Sequence, residues 1–368
     1  MNNYINLFEH PGTITRQRKT APAWIIFFLL FVSCATGEKK ATVKAFYYWK
    51  SYLELSSPEK NAISTLGIRK MYIKFFDVVW NEGSHSPFPV AKLTIDESIP
   101  AYLSNESIEI IPTVFITNEC LSRVDSDKIP DLASQVNNLV NSMLRTNGFI
   151  SNKIRELQFD CDWTASTSDN YFTFLNSIKK LRASQKTRLS ATIRLYQCKY
   201  LKRTGVPPVD RGLLMCYNMG NLRDPSHKKN SILDLNDLEQ YTAGLENYPL
   251  PLDLAFPLFD WKVLFRANTY AGLVQRLPQH QLEDSRVSVR EDNVFRLLRD
   301  TIIGGYSFRK GDLLRDEQSN PGDIISAGKI LSRKLKNKEI TISLYHLDSA
   351  TIGKYTMHEL ENIFSSVH

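Results

Sequence analysis

The sequence lacks most of the features that narrow a function at once. It has five cysteines in 368 residues, none at zinc-site spacing, and seven scattered histidines. That pattern gives no metal-ligand set, and no cofactor is expected. There is no low-complexity tract and no internal repeat, which argues against disordered and solenoid classes. The net charge of +7 is mild and spread along the chain, so no nucleic-acid partner is expected. No apolar run is long enough to cross a bilayer comfortably: the longest, Ala23–Ser33, has eleven residues.

What is present begins with that short run. Arg16, Arg18 and Lys19 precede it as a basic stretch, and Cys34 follows it directly. This is the layout of a secretory leader. Phe31-Val32-Ser33-Cys34 resembles a bacterial lipobox, with Phe in place of the usual Leu. The expected organisation is a signal peptide over residues 1–33 and a mature chain over 34–368, lipidated on Cys34. Several acyl chains would hold it at a membrane, in the bacterial cell envelope. No aspartate follows the cysteine, which favours the outer membrane over the inner. The four later cysteines, Cys120, Cys161, Cys198 and Cys216, read as buried free thiols.

Short apolar runs alternate with helix-period segments through the mature chain, as in repeated βα units. Eight runs read as strands: Val43–Trp49, Lys70–Val79, Ile108–Thr117, Glu156–Trp163, Arg188–Tyr196, Gly212–Tyr217, Leu252–Phe259 and Glu339–Leu347. Ser57-Pro58-Glu59 opens a helix, and Ile129–Arg145 forms a long amphipathic one stopped at Asn147-Gly148. Eight strands in about 300 residues predict a (β/α)8 TIM barrel of the α/β class. Residues 260–338 are too many for one crossover and read as an inserted, partly β excursion between strands seven and eight. Within it, Lys310–Glu317 reads as a charged turn with a surface ion pair.

The densest chemistry lies in Leu157-Gln158-Phe159-Asp160-Cys161-Asp162-Trp163. Carboxylates two apart on a strand share a face. Close, buried and like-charged, Asp160 and Asp162 should have proton affinities pushed apart, as acid/base chemistry requires. The carboxyl ends of barrel strands are also where barrel enzymes carry their sites.

At these residues the chain resembles the chitinase-type, family 18 glycoside hydrolases. That family's fourth strand ends in Asp-x-Asp-x-Glu. Asp160-Cys161-Asp162-Trp163 fits, with Thr164 standing in the glutamate's place. Met215-Cys216-Tyr217-Asn218 matches the family's sixth-strand motif. The whole pattern is similar to exported bacterial lipoproteins with a glycosidase-like barrel. The resemblance implies a carbohydrate ligand, Asp160 and Asp162 as the catalytic pair, and Tyr217 and Asn218 as sugar-binding residues. In the family the glutamate protonates the glycosidic oxygen and the second aspartate orients the N-acetyl group. Threonine cannot deliver that proton. The acid must then come from elsewhere, such as Asp162 or Asp260. The alternatives are a glycan-binding pseudo-enzyme or a structural, assembly-type lipoprotein.

Further candidates sit near the predicted rim. Gln158 shares the aspartates' face, Arg194 is expected to pair with one of them and lower its pKa, and Tyr48 or Trp49 offers a ring for a sugar. Asp260, Trp261, His346 and Asp348 are weaker candidates.

Overall fold

A computed structural model describes residues 40–149, 154–224 and 229–367. The expected signal peptide and Cys34 lie outside the described residues.

All eight expected barrel strands form: β1 Ala41–Tyr48, β2 Lys70–Asn81, β3 Glu109–Ile116, β4 Glu156–Asp160, β5 Arg188–Arg194, β6 Arg211–Met215, β7 Leu252–Pro257 and β8 Glu339–Tyr345. They pair in parallel in chain order, and β1 pairs with both β2 and β8, which closes the ring. The described chain therefore folds as a closed (β/α)8 barrel. β2 continues beyond the ring and pairs antiparallel with Ser86–Val90.

Strands buried on both faces explain the continuous apolar runs. Ala45, Tyr47, Tyr72, Ile111, Leu213 and Ala255 form one cluster in the lumen, while Phe46, Tyr48, Met71, Ile73 and Leu214 join the larger core under the helices. That outer core is sealed by amphipathic helices. Ile129–Thr146 buries Ile129, Leu132, Ala133, Val136, Val140, Met143 and Leu144, a stripe at three- and four-residue spacing. Ser57–Leu66 starts with a capping box between Ser56 and Glu59 and stops at Gly67, whose φ of 63° suits glycine.

Polar side chains fill the lumen lower down. Gln158 accepts from the Tyr47 hydroxyl, and Ser190 donates to Glu156 at 2.6 Å. Toward the amino ends of the strands, Lys70 lies 3.9 Å from both Glu109 and Glu156, and Arg211 pairs with Asp253. This charged layer sits at the pole of the barrel associated with stability, opposite the candidate site.

The excursion differs from its expected bounds. Antiparallel strands Asp260–Arg266, Thr269–Val274, Ser288–Glu291, Val294–Leu297 and Leu313–Gln318 build a five-stranded sheet. The helix Pro321–Lys334 that follows leads into β8. The insertion proper therefore ends near Gln318 rather than at 338. It has its own small core, including Leu264, Val274, Phe295 and Leu314, yet belongs to the barrel's compact unit. Gly304 and Gly305, with φ of 56° and 84°, turn a hairpin between Thr301–Ile303 and Tyr306–Phe308.

Lys310–Glu317 is not the exposed charged turn expected from its composition. From Leu313 it is a strand, and Arg315, Asp316 and Glu317 are buried. Each has an opposite charge at hand: Lys262 lies 3.0 Å from Asp316, and Arg315 lies 2.6 Å from Glu317. Buried charges survive only when paired in this way.

Candidate functional site

β4 ends at Asp160, three residues earlier than expected, but the alternation persists beyond it. Cys161 and Trp163 turn outward into the core under the helices. Trp163 stacks on Tyr171 with ring centres 5.2 Å apart, and its indole N–H donates to the Thr204 carbonyl at 2.9 Å. Asp160 and Asp162 turn the other way and line a cleft of about 550 Å³ at the carboxyl mouth of the barrel.

The two carboxyls have different partners. Asp162 is held by Arg194 on both oxygens, with Nη2 to Oδ2 at 2.5 Å and Nε to Oδ1. Asp160 accepts from the Thr192 hydroxyl at 2.6 Å. Burial, and then the charge of Asp162, push the pKa of Asp160 up to about 7, against the pull of Thr192 and Arg194. Burial also raises Asp162, and Arg194 offsets this only in part. The expected net lowering by Arg194 is therefore corrected: desolvation outweighs the ion pair.

Aromatic rings wall the cleft. Trp49, Tyr217, Phe259, Trp261 and Tyr345 all line it. Tyr345 is central, with ring centres 5.9 Å from Trp49, 5.6 Å from Tyr217 and 5.9 Å from Phe259. Burial, then the neighbouring Tyr345 and Asp160, push the Tyr217 hydroxyl pKa well up, so it stays protonated. Asn218 lines the rim with a left-handed φ of 55°.

The remaining charges in the cleft are paired. Lys50 meets Asp348 at 2.8 Å, Arg276 lies 3.7 Å from the same carboxylate, and Lys354 pairs with Asp260. Burial opposes ionisation of Asp348, but Lys50 holds its pKa below the usual range. Burial lowers the pKa of His346, whose buried Nδ1 has no hydrogen-bond partner among the described residues. Among the described residues no group of three His, Cys, Asp or Glu side chains is arranged to hold a metal ion.

The structure brings Asp160, Asp162, Arg194, Tyr217 and Asn218 together in this cleft, with Asp260, Trp261, His346 and Asp348. Two expected site residues are not in it. Tyr48 is fully buried on the helix side, where its hydroxyl donates to the carbonyls of Tyr52 and Glu54. Trp49 is the ring that faces the cleft. Gln158 is on the aspartates' face but one layer deeper, fully buried beneath the mouth. Thr164 is exposed, and its hydroxyl contacts Ser166 at 2.9 Å. It does not line the cleft.

Sequence reasoning missed Tyr345, Phe259 and Arg276. Tyr345 was within reach, because it ends β8 on the lumen-facing parity. Arg276 comes from the excursion, and only the folded sheet brings it to the mouth.

The closed barrel, with its carboxyl-end cleft and paired strand-end aspartates, is a TIM barrel with the fold of solved chitinases. Solved structures with the same fold include the carboxyl-terminal domain of a putative chitinase from Desulfitobacterium hafniense, with a TM-score of 0.58 and 11% identity over 89% of this chain and all of that one. The family 18 chitinase ChiB of Flavobacterium johnsoniae aligns with a TM-score of 0.54 and 13% identity, covering 89% of this chain and 94% of that one. The spore cortex-lytic enzyme SleL of Bacillus megaterium aligns with a TM-score of 0.55 and 11% identity, over 89% and 75%. No family model matches the sequence, and no curated protein matches it. At these identities the likeness is one of fold.

Proposed function

We propose that the barrel binds a glycan at its carboxyl mouth and does not cleave it by the acid-catalysed route of the chitinases it resembles. The observation that carries this reading is that the rings of Trp49, Tyr217, Phe259 and Tyr345 line one cleft with Asp160 and Asp162. Rings offer flat apolar faces to the C–H face of a sugar, while the carboxyls and the Tyr217 hydroxyl offer hydrogen bonds to its hydroxyls. Every cation lining the cleft has a carboxylate partner, which favours an uncharged glycan. A chitinase sharing this fold is known in complex with allosamidin, which makes chitin-type oligosaccharides the first class to test.

Cleavage is argued against by Thr164, which has no acidic proton and lies outside the cleft. One observation favours the rival hydrolytic reading. Asp160, with a pKa of about 7, holds a transferable proton at neutral pH. Incubating the protein with chitotetraose separates the two. Retention without new reducing ends supports binding alone, and steady release of shorter sugars supports hydrolysis with Asp160 as the acid. Asp162→Asn is expected to weaken binding about tenfold, the factor of roughly one charge-assisted hydrogen bond.

The lipid anchor at Cys34 is part of the same proposal. It would hold a glycan-binding barrel at the cell envelope, where glycans of the wall are presented.

A further inference from the structure

The excursion reaches the cleft through a buried polar cluster that the proposed function does not use directly. Glu317, on the strand Leu313–Gln318, is 2% exposed. Its Oε2 accepts from the indole N–H of Trp261 at 2.7 Å and from the Ser231 hydroxyl. Its Oε1 lies 2.6 Å from Nε of Arg315. Arg315 in turn donates to the Asp224 carbonyl at 2.6 Å. One carboxylate therefore ties together the excursion sheet, the cleft ring Trp261 and the segment after β6.

Both tethered elements shape the cleft. Trp261 packs on Phe259 with ring centres 5.1 Å apart, and Phe259 meets Tyr217 edge-on at 5.8 Å. Ser231 and Ile232 accept backbone hydrogen bonds from Gly220 at 3.2 Å and Asn218 at 2.9 Å. A side chain at Gly220 would come within 2.7 Å of the Ser231 backbone, so the two segments pack directly. Asn218 and Met219, between these contacts, line the cleft.

We infer that Glu317 is a positioning residue for glycan binding, fixing the Trp261 ring and the Asn218–Gly220 segment on the wall of the cleft. The inference rests on the proposed glycan reading. It adds that the inserted sheet sets the shape of the binding wall. A charged acceptor is suited to this task, because hydrogen bonds to a carboxylate are short and strong and hold both donors to one point. The same carboxylate cannot act on the ligand, since all its contacts are internal.

Three variants of the full chain test the inference. Glu317→Leu with Arg315→Met replaces the ion pair with apolar groups of similar size, an exchange that buried pairs commonly tolerate. Glu317→Gln with Arg315→Gln keeps an amide oxygen that can accept from Trp261. Trp261→Phe keeps a smaller aromatic ring, removes the N–H donor and leaves the Arg315–Glu317 pair in place. Hydrogen exchange at the Trp261 indole, followed by NMR, reports the tether without any ligand. Calorimetric titration with chitotetraose reports binding.

The expected result is slow indole exchange in the wild type and in the glutamine pair, and fast exchange in the apolar pair. Affinity should fall about tenfold in the apolar pair and in Trp261→Phe, and recover to within about threefold in the glutamine pair. Wild-type binding with unchanged affinity in the apolar pair would overturn the positioning role alone. A wild type that binds no chitotetraose, with its indole still protected, would overturn the glycan reading for this class and the inference with it.

Discussion

Arg194 grips both oxygens of Asp162, while Asp160, two residues earlier on the same face, accepts from the Thr192 hydroxyl. That asymmetry divides the pair. The outer carboxylate has a permanent countercharge, and the inner one titrates near neutrality.

A pH dependence follows for Asp160. Its pKa in the folded chain, about 7, stands above the value of 3.8 for an unperturbed aspartate. Between these values the folded state binds the extra proton, so the contribution of Asp160 to stability is greatest at low pH and declines as pH rises toward 7. Asp160→Asn should remove the decline, which is worth roughly 2–4 kcal/mol. Chemical denaturation from pH 4.5 to pH 8 checks this. The variant should gain on the wild type as pH rises, and parallel curves would contradict the raised pKa.

Arg194→Met tests the other half of the pair. The guanidinium is about half exposed, 47% in its side chain, so its loss should cost under about 1 kcal/mol of stability. The Asp162 pKa should rise further, because Arg194 is what pulls it down. Carbon NMR titration of the Asp162 carboxyl reads this directly, and an unmoved titration would show that the pair does not act as described.

Tyr48 and Trp49 should separate cleanly. Tyr48→Phe removes a hydroxyl bonded to the Tyr52 and Glu54 carbonyls, so it should lower stability by about 1 kcal/mol and leave glycan binding alone. Trp49→Ala removes a cleft ring and should cut binding at least tenfold. Thermal melts and titrations on both variants decide it.

For the proposed lipid anchor, Cys34→Ser should leave a precursor that incorporates no labelled lipid. Equal label in the variant would remove the anchor from the account.

These residues also show how far the sequence could be read. The eight barrel strands were legible because parallel strands buried on both faces are continuous apolar runs. The same property hid the phase of β1. In Phe46-Tyr47-Tyr48-Trp49 no polar residue marks a face, so nothing separated the lumen rings Tyr47 and Trp49 from Tyr48. In β4 the aspartates supplied that mark, and their shared face was readable. Parity did not give depth: Gln158 lies about 7 Å further down the strand, below the mouth, at ~3.3 Å per residue.

Pairings distant in sequence were the least legible. Arg315, Asp316 and Glu317 look like a surface charge run until Lys262, Trp261 and Ser231 are brought against them. The antiparallel order of the excursion sheet sets Trp261 opposite Glu317 and Lys262 opposite Asp316, and the segment after β6 brings Ser231.

The most direct test is a crystal structure of the protein soaked with chitotetraose. The account expects an intact oligosaccharide in the carboxyl mouth, one sugar ring stacked on Trp49 or Tyr345 and a hydroxyl or acetamido group within hydrogen-bond reach of Asp162 or Tyr217. An empty mouth at saturating sugar, or a cleaved chain with its new end beside Asp160, would contradict it.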